Sequence, residues 1–249
     1  MRTVTATRYV TPLREGGSLP ALMEADDDGL YVVKFSGAGQ GPKALVAELA
    51  GGEIGRALGL PVPEIVLVEV DPALGRAEPD SEIRELLERS AGPNVGLDFL
   101  PGALTFAPAV DTPPSPQLAA EIIWFEALIT NIDRTPRNPN MLTWHGRPWL
   151  IDHGAALYIQ HRWQDPPAHA RRPFGRMHHH ILLPFAGPLR DVDQRLTALL
   201  HSANLTAILA LVPDAWLAEP RERYVEYLEQ RLLAPRPFVE EADRARDAA

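Results

Sequence analysis

An α+β fold in two parts is what this sequence predicts: a small, β-rich N-terminal lobe and a mainly helical C-terminal lobe. Three observations point there. At about 150 residues per domain, the 249 residues amount to ~1.7 domains, which suits one large domain or two lobes. The first third alternates β-branched and aromatic runs with glycine-containing turns, a hairpin-like rhythm. The last third has helical periodicity, and a stretch ending in the proline-rich residues 107–117 reads as the linker between the two. The lobes fall at 1–100 and 101–249, with a hinge at about 97–106.

Taken in order, residues 14–20 (REGGSLP) and 24–29 (EADDDG) are turns. Tyr31-Val-Val-Lys34-Phe35 is a strand with alternating faces. A loop, Gly37-Ala-Gly39-Gln-Gly41-Pro, leads into a helix over 43–58, with Leu45, Leu49, Ile54 and Leu58 at helical spacing and Gly59 closing it. Residues 63–70 form a strand, 81–89 a polar helix, and 96–102 a strand that breaks at Pro101. A strongly apolar helix covers 116–130, and 141–144 and 148–151 are strands around His145-Gly146, a tight hairpin. Pro220 stands near the start of a helix in which Tyr224, Tyr227, Leu228 and Leu232 share a face. The last ten residues are charged and are expected to fray. The chain has no internal repeat.

Composition narrows the function. Apolar residues make up 45% and charged residues 23%, a globular balance that excludes wholesale disorder. A net charge of −9 argues against non-specific binding to nucleic acid or to an anionic membrane. No apolar run approaches the ~18 residues of a membrane span. The opening MRTVTATRYV lacks the apolar core of a secretory signal, so the expected location is cytoplasmic. Without cysteine there is no disulfide and no thiolate nucleophile or metal ligand. Lysine occurs only at Lys34 and Lys43, against 22 arginines, and both positions invite scrutiny.

The chemistry concentrates in Asn131-Ile-Asp133-Arg-Thr-Pro-Arg-Asn138-Pro-Asn140-Met-Leu, followed by Trp149-Leu-Ile-Asp152-His-Gly154. A polar loop ends a buried helix and runs into a hairpin that finishes in Asp-x-Gly. Phosphoryl transfer uses such parts: one carboxylate to orient the attacking hydroxyl, and an amide with a second carboxylate to hold magnesium. Magnesium takes few hard oxygen ligands from protein, the rest coming from phosphates and water. A helix end and a turn alone would also use Asp133 and the asparagines. The hairpin and the second aspartate favour chemistry.

These segments, with YVVKF and ALVAEL…ALGLPVPE upstream, resemble the HipA-like kinases, whose two-lobed fold is shared with phosphoinositide kinases and, more distantly, protein kinases. The likeness runs from about Glu15 to His180. It implies a nucleotide cleft between lobes, ATP and magnesium as cofactors, and transfer of the γ-phosphoryl group to a hydroxyl, foremost Ser or Thr of a protein. A lipid or small-molecule kinase, or a pseudokinase acting as a nucleotide-binding interaction module, are the alternatives. HipA toxins are longer, with an extra N-terminal portion, so toxin behaviour is not implied.

Carried onto this sequence, the resemblance matches Asp133 to the catalytic-loop aspartate and Asp152 to the metal-binding aspartate of the Asp-Phe-Gly segment. Two asparagines compete for the second metal position. Asn138 has the usual five-residue spacing from Asp133, while Asn140 leads directly into the strand and is preferred, with a two-residue insertion around Pro136. Lys34 matches the phosphate-anchoring lysine, and strand alternation puts it on one face with Val32, suited to contact a base. Its partner is Glu48, within ALVAEL; Glu53 reads as a surface residue. Gly16, Gly17 and Ser18 match the phosphate-covering loop. Asp98, Phe99 and Leu100 occupy the hinge, where backbone groups meet adenine.

Other features carry less. The loop 37–41 lacks the Gly-Lys-Ser/Thr ending of a Walker A loop, and its glycine spacing is wrong for a dinucleotide fingerprint. Lys43 then reads as a solvent-exposed residue near a helix start, or as a second phosphate contact. His178, His179 and His180 are consecutive, so they cannot easily face one ion. Residues 161–180 hold Arg162, Arg171, Arg172 and Arg176 against Asp165 alone. Such a basic loop would attract an acidic or phosphate-bearing substrate. Arginines pairing with nearby acids are the plainer alternative.

Overall fold

The computed structural model describes residues 1–13, 19–76 and 78–248. Its strand-rich N-terminal part is a closed barrel. β1 (Thr3–Pro12), β2 (Ala21–Ala25) and β3 (Leu30–Lys34) form an antiparallel meander. The chain then leaves the sheet as α1 (Gly41–Ala57), returns as β4 (Ile65–Val70), passes through α2 (Ser81–Arg89) and inserts β5 (Gly92–Asp98) between β3 and β4. A parallel pairing of β1 with β4, from Thr3↔Leu67 to Thr5↔Glu69, closes the ring. Closure is one way for a small sheet to avoid an open edge.

Alternation along β3 sorts its side chains. Tyr31, Val33 and Phe35 are buried in the barrel with Met23, Val66 and Val68, while Val32 and Lys34 take the opposite face. The register pairs Val32 with Leu97 and Lys34 with Val95. Leu97 and Val95 therefore share the outer face, and both join the large core built with the helical part.

β5 starts at Gly92 rather than 96 and ends at Asp98 rather than 102. Pro93 and Asn94 look like strand breakers, but proline is tolerated at the beginning of a strand. Asn94 is buried and satisfied: it accepts the Ser36 N–H (2.8 Å) and donates to the carbonyls of Ser90 (2.9 Å) and Gly92 (2.8 Å).

β6 (Leu104–Thr105) opens the C-terminal part and pairs with β7 (Met141–Trp144), which pairs with β8 (Arg147–Leu150). The proline-rich residues 107–117 thus lie within the helical part, because β6 has joined β7 before them. At the β7–β8 turn, His145 (φ 48°) and Gly146 (φ 70°) supply the two positive φ angles of a type I′ hairpin. Between β6 and β7 runs α3 (Pro116–Ile129), capped by the Ser115 side chain on the Leu118 N–H at 3.2 Å and buried almost all round. α4 (Pro166–Ala170), α5 (Arg190–Leu199), α6 (Ser202–Leu209), α7 (Arg221–Leu232) and α8 (Pro237–Asp247) follow. α5, α7 and α8 pack on α3, and α4 and α6 pack on α7.

The C-terminus does not fray as its charge predicts. α8 reaches Asp247, with Ala242 and Ala245 in the core. Asp243 accepts the Leu189 N–H at 2.7 Å, at the start of α5, a helix without a side-chain cap. The acidic residue that suggested solvent serves as a tether.

Candidate active site

Three glycines set the position of α1. Gly51, Gly52 and Gly55 stand inside the helix, where each costs about 1 kcal/mol against alanine. A Cβ at Gly52 would lie 2.3 Å from Ile65 Cδ1, and one at Gly51 would lie 3.1 Å from His153 Cβ. The bare backbone lets α1 settle onto β4 and onto the residue after Asp152. Glu48, one turn earlier, is carried in with it and is fully buried.

There Lys34 Nζ donates to Glu48 Oε2 (2.7 Å) and to Asp152 Oδ1 (2.6 Å). Burial acts to lower the lysine pKa, but the two carboxylates outweigh it and hold the ammonium charged above its ordinary value. Burial pushes Glu48 up, opposed by Lys34. Burial acts the same way on Asp152, where Lys34 prevails and holds the carboxyl below its usual range. Asp152 keeps 44% of its side chain exposed while Glu48 keeps none, so one carboxylate faces the opening and the other anchors.

The second carboxylate loop grows from the end of α3. Asn131 Oδ1 accepts the Asp133 N–H at 3.1 Å. Asp133 Oδ2 accepts from Asn138 Nδ2 (2.8 Å) and more weakly from Asn140 Nδ2 (3.4 Å). The asparagines differ in setting. Asn138 is exposed and closes a tight turn with Thr135 through paired backbone bonds (2.9 and 3.1 Å), with Pro136 and Arg137 at its exposed tip. Asn140 is buried at φ 47°, and its carbonyl accepts the Ile151 N–H at 3.0 Å. That bond continues the ladder one step beyond Met141↔Leu150, so Asn140 and Asp152 leave the hairpin base together.

Beneath this loop is a pair the sequence reading did not single out. Arg134 and Glu126 are both buried and form an ion pair of 2.6 Å. Arg134 Nη1 also donates to the carbonyls of Asn140 and Ile151, bracing the two strands that deliver Asn140 and Asp152. A signal existed: Glu126 sits in the middle of the most apolar helix, where a carboxylate needs a partner.

The remaining expectations divide. Gly16, Gly17 and Ser18 lie outside the described residues. At the hinge, the N–H groups of Asp98 and Phe99 are taken by the carbonyls of Glu64 and Leu30 (2.9 Å each), so neither donates to an adenine in this arrangement; Leu100 is buried. Glu53 is half-buried and pairs with Arg56 at 3.2 Å. Lys43 is not a free surface lysine: its Nζ donates to the Gln160 carbonyl at 2.9 Å. Arg171 donates to the carbonyls of Leu233 (3.0 Å) and Ala234 (3.2 Å) beyond α7, while Arg162, Arg172 and Arg176 are exposed.

The three histidines separate. His178 meets Glu241 at 3.0 Å, His179 is exposed, and His180 is buried with Nδ1 accepting the Leu182 N–H. Burial, with Arg134 nearby, pushes His180 down to about 3. The unfolded chain therefore binds a proton below pH ~6.5 that the folded chain refuses, and stability falls with pH across that window by about 1.4 kcal/mol per unit. In urea unfolding between pH 6 and pH 4, His180→Gln should flatten the acid limb. Parallel limbs in parent and variant would clear His180 of that role.

Asp152 and the amide oxygen of Asn140 are hard oxygen donors, in the small number magnesium takes from protein, so the donor set fits that ion. No helix among the described residues is long and apolar enough to cross a membrane. A family model described as HipA-like kinase matches residues 7–233. No curated protein matches the chain. Among solved structures, it is similar to the crystal structure of a Helicobacter pylori proinflammatory kinase, CtkA, with a TM-score of 0.56 and 14% identity over 99% of each chain.

Proposed function

The chain belongs to the HipA-like kinase family, and from that premise we propose that it transfers the γ-phosphoryl group of ATP, with magnesium, to a hydroxyl, foremost a Ser or Thr of a protein. One observation carries the reading: a part-buried lysine held between Glu48 and Asp152, with Asp133 bonded to Asn138 and Asn140 at the hairpin base that leads into Asp152. In this reading the barrel and the helical part are the two lobes, residues 1–100 and 101–249, and the chain crosses between them at about 97–106. Nucleotide lies against the outer face of β3, where Val32 supplies an apolar surface for a base and Lys34 meets phosphate oxygens. Glu48 fixes the lysine's position, and Asp133 orients the acceptor hydroxyl and takes its proton. Asp152 and Asn140 hold magnesium, which neutralises charge on the phosphates when bound.

Labelled ATP, magnesium and cell lysate test the acceptor class. Label on protein bands, absent with Asp133→Asn, is the expected result. Label only in lipid or small solutes favours the other kinase class. Nucleotide binding without transfer makes the chain a binding module.

The same assay decides between the asparagines. Asn140→Gly suits the left-handed backbone there and should lower transfer strongly. Asn138→Ala removes one exposed bond to Asp133 and should cost roughly 0.5–1.5 kcal/mol of stability at most, with transfer largely kept. The reverse pattern would shift the metal ligand by two positions, to Asn138.

A further inference from the structure

The second of the two lysines closes a clamp. Lys43 Nζ donates to the Gln160 carbonyl at 2.9 Å, and Gln160 Nε2 donates back to the Lys43 carbonyl at 3.0 Å. Lys43 lies in the first turn of α1, the helix that bears Glu48. Gln160 is 1% exposed and lies in the segment that follows Asp152-His-Gly. This end of α1 needs an outside fastening, since Gln40 provides no side-chain cap and the first turn holds no acidic residue. The glycines fasten the middle of the helix. Glu48 sits between the two attachments.

A phosphate on Ser or Thr cannot order the segment, because residues 144–196 contain neither. Tyr158 is its only hydroxyl side chain. Arg171, a residue type suited to receive a phosphate, is engaged by the carbonyls beyond α7.

We infer that Lys43 and Gln160 are positioning residues of the transfer reaction, a reciprocal hydrogen-bond clamp that sets α1, and with it Glu48 and Lys34, against Asp152 without phosphorylation of the intervening segment. The inference rests on the kinase reading above, and its test is built to fail separately. Lys43→Met removes one bond of the clamp and Gln160→Met the other. In each variant of the full chain, hydrogen exchange should quicken at 41–48 and 154–160 and stay unchanged elsewhere. The kcat should fall about tenfold or more, since a shift well under 1 Å at reacting groups suffices for that, while the acceptor KM holds. Lys43→Arg, which keeps a donor, should recover part of the rate. Phosphatase treatment of the parent should leave its rate intact.

Unchanged local exchange, or an unchanged kcat per folded molecule, overturns the clamp. So does a uniform loss of protection with a lower melting temperature, which marks a merely structural contact, or a parent silenced by phosphatase. A parent that transfers no phosphate rejects the kinase reading instead, and local exchange then still decides whether the clamp exists.

Discussion

Asp152→Asn should abolish magnesium-dependent nucleotide binding and lower phosphoryl transfer by about a thousandfold, the scale of a lost metal contribution of several kcal/mol. The substitution is chosen for what it leaves alone. Asparagine matches aspartate in size and tolerates a left-handed backbone better than most residues, and position 152 has φ 57°. Lys34 keeps Glu48, so the part-buried ammonium is not left without a counter-charge. What goes is the second carboxylate, the one facing the opening. Nucleotide affinity with and without magnesium, alongside the melting temperature, separates the site from the fold. Equal magnesium dependence in variant and parent would remove Asp152 from the metal site.

Elements whose local and tertiary preferences agree are legible in the sequence. The β3 strand, α2, α3 and the β7–β8 hairpin fall within a residue or so of where periodicity and turn chemistry place them. β5 and α8 depart from what the sequence suggests because side chains that look like breakers or solvent seekers are satisfied by distant partners: Asn94 by Ser36, Asp243 by Leu189. Such partners are invisible to a window along the chain. The site divides the same way. Lys34, Glu48, Asp133, Asn140 and Asp152 stand out as short motifs, and the fold brings Lys34 against Glu48 and Asp152 across 14 and 118 residues of sequence. The supports behind them, Gly51 and Gly52, Gln160, and the Glu126–Arg134 pair, carry no local signature beyond a residue type out of place. The scarcity of lysine proved informative twice: in a chain that otherwise uses arginine, both lysines tie α1 to the segment carrying Asp152, one through its carboxylates and one through a carbonyl.

That buried pair allows a sharper separation of stability from catalysis. Arg134→Met leaves the Glu126 carboxylate enclosed without a counter-charge, and the loss of one partner from a buried pair costs about 3–5 kcal/mol. The single variant should therefore unfold at a much lower urea concentration than the parent. Replacing both, with Glu126→Leu and Arg134→Met, removes the desolvated charges together, and such replacements are often neutral or stabilising. The urea midpoint should then recover most of the way. The rate should not. Arg134 Nη1 bonds the Asn140 carbonyl and the Ile151 carbonyl just before Asp152, and methionine offers no donor to hold them in register. A shift of about 1 Å there can cost on the order of a hundredfold in transfer. The expected double variant is a stable protein that turns over slowly, with nucleotide still bound on the β3 face. A double variant as stable and as fast as the parent would mean that Arg134 exists only to neutralise Glu126, and that the hairpin alone shapes the loop.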